Sequence, residues 1–408
     1  MPQPLEAKPV SAEPLLPAVE LHQPAVDAAA ISVADIRDPA LRPIAEKILA
    51  RQRLSADDGM ALFATRDLHS LGMLANSVRV ARHGRKAFYN INRHINYSNI
   101  CALSCKFCEF QRKRGEEGAY EYSAEKIFEI ADQAALSGAT ELHMVGGLHP
   151  WLPFEWYTGL LTHLRRRHPQ LHLKCFTAIE IDHFARISRL SIKEVLLALK
   201  EAGLGSMPGG GAEVFDDRVH DEVFKGKLRS DGWLNIHRTA HELGIRTNAT
   251  ILYGHIETRR ERIDHLIKLR QLQESDPGFQ CIIPLSFVPN GSDLANLPGP
   301  TGLEDIKMLA VSRLMLDNFP HVKAFWIMQT MKLSQVSLNF GVDDLDGTVV
   351  WYDITKREAG LGNRHQEQTV DNIRRLIVEA GYLPVERDTL YRRVERTPGG
   401  WRIAETFA

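Results

Sequence analysis

Residues 96–110 read NYSNICALSCKFCEF, and this stretch organises the reading of the chain on either side of it. Cys101, Cys105 and Cys108 stand at C-x3-C-x2-C spacing, with the aromatic Phe107 directly before the last cysteine. Three thiolates on one short loop point to an iron-sulfur cluster. Thiolates hold cluster irons, and a fourth iron without a protein ligand can bind a small molecule directly. A structural zinc site is the alternative. It is normally closed by four Cys or His ligands, usually as two spaced pairs, and no second C-x2-C pair follows here. Buried structural thiols are the third reading.

The loop follows an apolar-to-polar segment, Phe88 to Asn96, and beyond it short β-rich runs alternate with amphipathic helical stretches. The runs are Glu141 to Val145, Leu171 to Ala178, Leu204 to Met207, Thr247 to Leu252, Gln280 to Leu285, Val322 to Trp326 and Gly347 to Val350. A typical intervening helix is SAEKIFEIADQAALSG, with Ser123 as its cap and Gly138 as its stop. Counting the strand before the cysteine loop, eight strands alternate with helices, which predicts an α/β fold, a (β/α)8 TIM-type barrel with its chemistry at the carboxyl ends of the strands. A doubly wound open sheet is the alternative, but no G-x-G-x-x-G follows its first strand.

Composition agrees with one large domain. The 408 residues are 44% hydrophobic and 25% charged, enough to bury a sizeable core. Fifty basic against 51 acidic residues give a formal net charge of -1, with no reason to invoke nucleic acid or an anionic membrane. No apolar run reaches membrane-spanning length and no signal-peptide pattern opens the chain. Five cysteines, three of them in one loop, predict a reducing cytoplasm, and Cys175 and Cys281, in the apolar runs LHLKCFTA and FQCIIPL, read as core thiols. Residues 1–34 form a Pro/Ala-rich segment expected to be a disordered tail. Residues 35–86 read as a helical extension, with Ser55 and Asp58 as a capping-box-like start, and residues 87–408 as the barrel with a C-terminal segment.

The loops after the strands carry candidate ligands. HMVGGLHP brings Gly146 and Gly147 to the barrel mouth, where they expose backbone polar groups or make a tight turn. In FTAIEID, Glu180 with Thr177 can accept hydrogen bonds from ribose hydroxyls or an ammonium group, or can serve a helix start. SMPGGGAEVF begins with Ser206 and lacks the Lys-Ser/Thr of a phosphate loop, so close approach of backbone to a ligand is its better use. NATILYGHIET places Leu252, Tyr253, His255 and Glu257 together. A cluster-bearing electron carrier is a different class of function. Such carriers usually ligate every iron with four cysteines and do not need a barrel of this size.

With these residues in view, the triplet resembles the signature of radical S-adenosylmethionine enzymes. GGLHP, SMPGGGAE, YGHIE, FQCIIPLSFVPNGS and DDLDGT together resemble the branch that holds the menaquinone enzymes of the futalosine route and the deazaflavin synthases. Within it, SRLMLDNFPHVKAFWIM, LNFGVDDLDGTVV and PVERDTLY are most similar to the aminodeoxyfutalosine synthases, while WYDITKREAG departs from the pattern. The resemblance implies a [4Fe-4S] cluster on Cys101, Cys105 and Cys108, and S-adenosylmethionine as co-substrate. Gly146 and Gly147 would then lie at the methionine amino group, Leu252 near the adenine, and Glu257 in support of the turn, with Thr177 and Glu180 on the same cofactor.

It further implies addition of a 5'-deoxyadenosyl radical to the double bond of 3-[(1-carboxyvinyl)oxy]benzoate, giving 6-amino-6-deoxyfutalosine, methionine and bicarbonate. The sibling cyclase and a deazaflavin synthase half are the competing activities. A low-potential donor of flavodoxin or ferredoxin type is the implied electron partner. For a substrate with two carboxylates, His149, Ser206, Tyr253 and His255 are the expected contacts, with Arg246 the weakest candidate because it begins a strand. His255 is the expected acid or base.

Overall fold

The computed structural model of the protein describes residues 31–349, 354 and 367–404. Residues 1–30 of the Pro/Ala-rich segment, and WYDITKREAG apart from Ile354, lie outside the described residues.

The barrel is a (β/α)8 arrangement. In chain order the strands are β1 Lys86–Asn90, β2 Asn92–Ile95, β3 Glu141–Met144, β4 His172–Cys175, β5 Ser206–Met207, β6 Arg246–Tyr253, β7 Phe279–Ser286, β8 His321–Val322 and β9 Asp344–Gly347, of which β2 to β9 make the eight of the barrel. Strands β2 to β8 form one seven-stranded sheet in sequential order, every pair parallel. β9 bridges what remains open. On one side Asp343 N–H donates to Val322 O (3.1 Å) and Ala324 N–H to Asp344 O (2.9 Å). On the other side Thr348 N–H donates to Asn90 O (3.2 Å) and His94 N–H to Val349 O (3.0 Å).

Two boundaries differ from the sequence expectation, for physical reasons. The single strand expected over Phe88 to Asn96 changes partners at Ile91: β1 joins β9 and β10 (Leu383–Glu386) in a separate parallel sheet, and β2 opens the barrel sheet. The crossing is tight enough that a Cβ on Gly347 would stand 2.3 Å from Asn90 O, so only glycine fits there. The last barrel strand lies at Asp344–Gly347, ahead of the expected Gly347 to Val350, because Asp343 and Asp344 take the backbone groups of Val322 in β8 and of Ala324 just past it. Past β10, Val394–Thr397 (β11) and Gly400–Ile403 (β12) form an antiparallel hairpin that the periodicity did not signal.

Helices form where caps and apolar faces agree. Ser55 and Asp58 make a reciprocal capping box on the helix Ala56–Ala64, and Ser123 caps Ala124–Leu136, with Gly138 at φ +77 ending it. The helices Ala56–Ala64 and Leu68–His83 pack on the outer barrel helices. Gly59 sits so close to them that an added Cβ would be 2.6 Å from Ile263 Cδ1. Cys175 and Cys281 are fully buried free thiols in β4 and β7. Among the described residues no helix is long and apolar enough to cross a membrane.

Candidate functional site

A cavity of about 280 Å³ occupies the carboxyl end of the barrel and reaches down its axis. Cys101, Cys105 and Cys108, all free thiols, line its upper wall. Their loop is tied to the barrel at several backbone points: Gly147 N–H donates to Ser98 O (2.8 Å), Ala102 N–H to Leu148 O (2.8 Å) and Lys106 N–H to Val223 O (2.9 Å). Lys113 Nζ donates to Cys101 O and Leu103 O, both at 2.9 Å. The N–H groups of Leu103 and Leu148 both point at Cys101 Sγ, at 3.4 Å each.

The donor set fits a cluster better than zinc. Among the described residues the group of three His, Cys, Asp or Glu whose ligand atoms all lie within 4.8 Å is His83, His321 and Asp343, at the amino end of the barrel. The cysteine sulfurs are therefore not all within the span of two zinc–sulfur bonds of about 2.3 Å. His237 and His241, at H-x3-H spacing, both engage Thr247 Oγ1 (2.9 and 2.8 Å), away from the cysteines. Burial pushes the Cys105 thiol up to about 11 and raises Cys108, so metal binding at this loop would release protons. Lys227 works against that shift while bound to Glu213 Oε1 at 2.5 Å.

Gly146, Gly147, Thr177, Glu180 and Leu252 line the same cavity. The glycines are required by close packing. A Cβ on Gly146 would lie 2.6 Å from the Tyr97 ring and one on Gly147 would lie 2.4 Å from Ile100 O. Glu180 caps the helix Ala178–Ser188 with Thr177 and also accepts from Tyr97 Oη (2.7 Å) and Gly146 N–H (3.1 Å), joining that helix to the glycine stretch. Burial, against these bonds, pushes its carboxyl up to about 7. Gly209 to Gly211 follow the same logic as Gly146 and Gly147: a Cβ on Gly209 would be 2.6 Å from Asn248 O and one on Gly211 would be 2.2 Å from Ile179 Cγ1.

Six expected contacts do not reach the cavity wall. His255 follows the end of β6 with a fully buried side chain, edge-on to Phe287 at 5.9 Å and with Nδ1 3.2 Å from Glu257 Oε2. Burial lowers its pKa. Glu257 is consumed by its own turn, accepting from Gly254 N–H (2.6 Å), His255 N–H (3.0 Å) and Arg262 Nε (2.7 Å). Tyr253 points outward because the inward position belongs to its neighbour Leu252. Its hydroxyl is 2.6 Å from Asp305 Oδ1. Ser206 pairs with Arg246 at the amino ends of β5 and β6, and its Oγ meets His172 Nε2 at 2.8 Å. Arg246 itself is exposed there. His149 turns away to Glu121 Oε2 at 2.7 Å.

In their place the barrel presents inward residues of its strands. His94 of β2 and His143 of β3 stack at 4.3 Å between ring centroids. Lys174 of β4 stands 2.6 Å from Glu141 Oε1, and Lys323, just past β8, stands 2.9 Å from Asp346 Oδ1. His94, His143, Lys174, Lys323 and Asp346, with Asn248 and Thr250, line the lower cavity. Burial lowers both histidines, His94 to about 4. Burial also opposes the charge on Lys323, but Asp346, together with Asp344 and Cys281, more than offsets it and raises the ammonium above its ordinary value. The sequence signal for these residues was a polar side chain at alternate positions of otherwise apolar strands, as in ELHM and HLKC.

Residues 95–269 match the family described as the Radical SAM superfamily, and residues 276–398 match the CofH/MqnC C-terminal region. An aminodeoxyfutalosine synthase of Thermus thermophilus is 48% identical over 365 residues, covering 88% of this chain and 97% of the relative. One from Streptomyces coelicolor is 42% identical over 368 residues, covering 88% and 95%. A Methanopyrus kandleri protein named 5-amino-6-(D-ribitylamino)uracil–L-tyrosine 4-hydroxyphenyl transferase is 38% identical over 347 residues, covering 83% and 94%. Among solved structures, methylornithine synthase superposes with a TM-score of 0.68 at 18% identity, covering 84% of this chain and 97% of the other. The FeFe-hydrogenase maturase HydG from Carboxydothermus hydrogenoformans gives 0.66 at 18%, covering 88% and 83%. These two likenesses speak for the fold alone.

Proposed function

From the premise that this chain belongs to the radical SAM superfamily and is a radical SAM transferase of the aminodeoxyfutalosine synthase kind, we propose that it joins the 5'-deoxyadenosyl group of S-adenosylmethionine to 3-[(1-carboxyvinyl)oxy]benzoate. With one water the reaction balances to 6-amino-6-deoxyfutalosine, methionine, bicarbonate and a proton, with no net oxidation. The observation that carries the reading is the 48% identity running through 97% of a named synthase, against 38% for the named hydroxyphenyl transferase.

Cys101, Cys105 and Cys108 would hold a [4Fe-4S] cluster, whose bound form supplies the electron that cleaves the sulfonium of S-adenosylmethionine. The chain's own part is to position and to exclude. Gly146, Gly147, Thr177, Glu180 and Leu252 form the wall beside the cysteines and would receive the cofactor. The apolar patch of Leu252, Phe287, Phe325 and Met328 lines the cavity and would keep water from a reactive carbon centre. Holding the acceptor double bond nearer than any protein C–H is worth up to roughly 7 to 11 kcal/mol in such additions. A low-potential flavodoxin or ferredoxin would supply the starting electron.

Anaerobic incubation of the reconstituted protein with S-adenosylmethionine, a low-potential reductant and the enol ether, followed by mass analysis, tests this. A product retaining adenine, formed one for one with methionine, is expected. Free 5'-deoxyadenosine as the main nucleoside would overturn it in favour of a hydrogen-abstracting sibling.

A further inference from the structure

Lys174 and Lys323 are 3% and 2% exposed, yet both line the cavity. An ammonium has three donors. Each makes one ion pair at contact distance, with Glu141 at 2.6 Å and Asp346 at 2.9 Å, so donor capacity is left over in a place where water is scarce. Burying such donors without partners is costly, and a site that does so is shaped for an anion. The third cavity lysine, Lys227, differs: it sits beside the cysteines, 2.5 Å from Glu213 and over the Phe107 ring.

Placement adds a direction. Lys174 lies on β4 and Lys323 at the end of β8, four strands further round an eight-stranded barrel, so the two ammonium groups rise from opposite walls. Between them lie the flat His94–His143 stack and the small polar side chains of Asn248 and Thr250. We propose that Lys174 and Lys323 form a two-point receptor for an elongated aromatic dicarboxylate, one carboxylate to each lysine, with the ring against the imidazole stack. The inference rests on the function proposed above, and it replaces His149, Ser206, Tyr253 and His255 as the carboxylate contacts. The glycine and cysteine wall is left to the nucleoside.

The test titrates 3-(carboxymethoxy)benzoate, which lacks the reacting double bond, and its two monomethyl esters into the cluster-loaded full chain with S-adenosylmethionine present. Calorimetry reads the dissociation constants. Wild type should lose about tenfold or more on either esterification, the size expected for one charge-assisted hydrogen bond. Lys174→Met is combined with Glu141→Gln, and Lys323→Met with Asp346→Asn, so that no buried carboxylate is left without its partner. Each double variant should bind the diacid about tenfold or more weakly and become indifferent to one ester, a different ester for each variant.

Equal binding of diacid and esters by wild type would overturn the proposal without any variant being needed, as would two variants that respond alike to both esters. Turnover is read separately. Ester-sensitive binding without the joined nucleoside product keeps the receptor and sinks the reaction, whereas product formation with ester-insensitive binding does the reverse.

Discussion

Replacing Gly147 by Ala should damage cluster retention more than its size suggests. The new Cβ would meet Ile100 O at 2.4 Å, Ile100 C at 2.8 Å and Cys101 Cβ at 3.1 Å. Two of these are backbone atoms, so no rotamer change relieves the contact. Reaching an ordinary contact of 3.4 Å takes a displacement of about 1 Å, which the loop can make only by pulling on its ties to β3. Overpacking of this kind costs about 1–3 kcal/mol, and weakening the Gly147–Ser98 and Ala102–Leu148 bonds adds about 1 kcal/mol each. The sum, about 3–5 kcal/mol, corresponds to a fall in Tm of roughly 4–6 °C for a chain of this length. Because Leu148 N–H is bonded to Cys101 Sγ, the displacement reaches the first cysteine directly. Iron content after anaerobic reconstitution, visible absorbance and thermal unfolding are the readouts. Gly159→Ala is the control: its Cβ would meet nothing within 4 Å inside a helix, and it should gain up to about 1 kcal/mol. A Gly147→Ala protein with wild-type iron content and wild-type Tm would refute the reasoning.

Alanine at Cys101, Cys105 or Cys108 should abolish cluster absorbance and turnover, whereas Cys175→Ala and Cys281→Ala, at fully buried core positions, should keep the cluster and lower only stability; normal turnover in Cys105→Ala would contradict the ligand assignment. His255→Ala should leave kcat close to wild type while lowering Tm, since the ring packs behind the cavity wall; a fall in kcat of about 10²-fold or more at unchanged Tm would restore it as an acid or base. Acid should destabilise the fold. His83, His94, His172 and His241 are held at about 4 by burial, below the 6.5 of the unfolded chain, so their contribution is full above pH 6.5 and is lost as pH falls toward 4. At pH 5 each removes about 2 kcal/mol, and a denaturation midpoint at pH 5 equal to or above that at pH 7 would contradict this.

What depends on short-range order was legible in the chain. C-x3-C-x2-C is a local spacing, and the alternation of apolar runs with capped helices carries strand count and parallel connection in a single pass. Thr177 with Glu180 and Ser55 with Asp58 are legible as helix starts for the same reason: the partners are three residues apart. Gly146 and Gly147 could be singled out, but their physical cause, the carbonyl of Ile100 and the ring of Tyr97, belongs to a different segment and appears only when the loop folds back. Which side of a strand faces the axis became visible only in the folded barrel. A shift of one residue turns a side chain from cavity to helix layer, and so Leu252 lines the cavity while Tyr253 meets Asp305. Position along the strand mattered equally, since Ser206 sits at the amino end of β5 and Lys174 one residue before the carboxyl end of β4. The ion pairs Lys174–Glu141 and Lys323–Asp346 join residues 33 and 23 positions apart, brought together by sheet order and β9. Chemistry written within one loop could be read from the chain, whereas chemistry assembled across the barrel required the closure of the sheet.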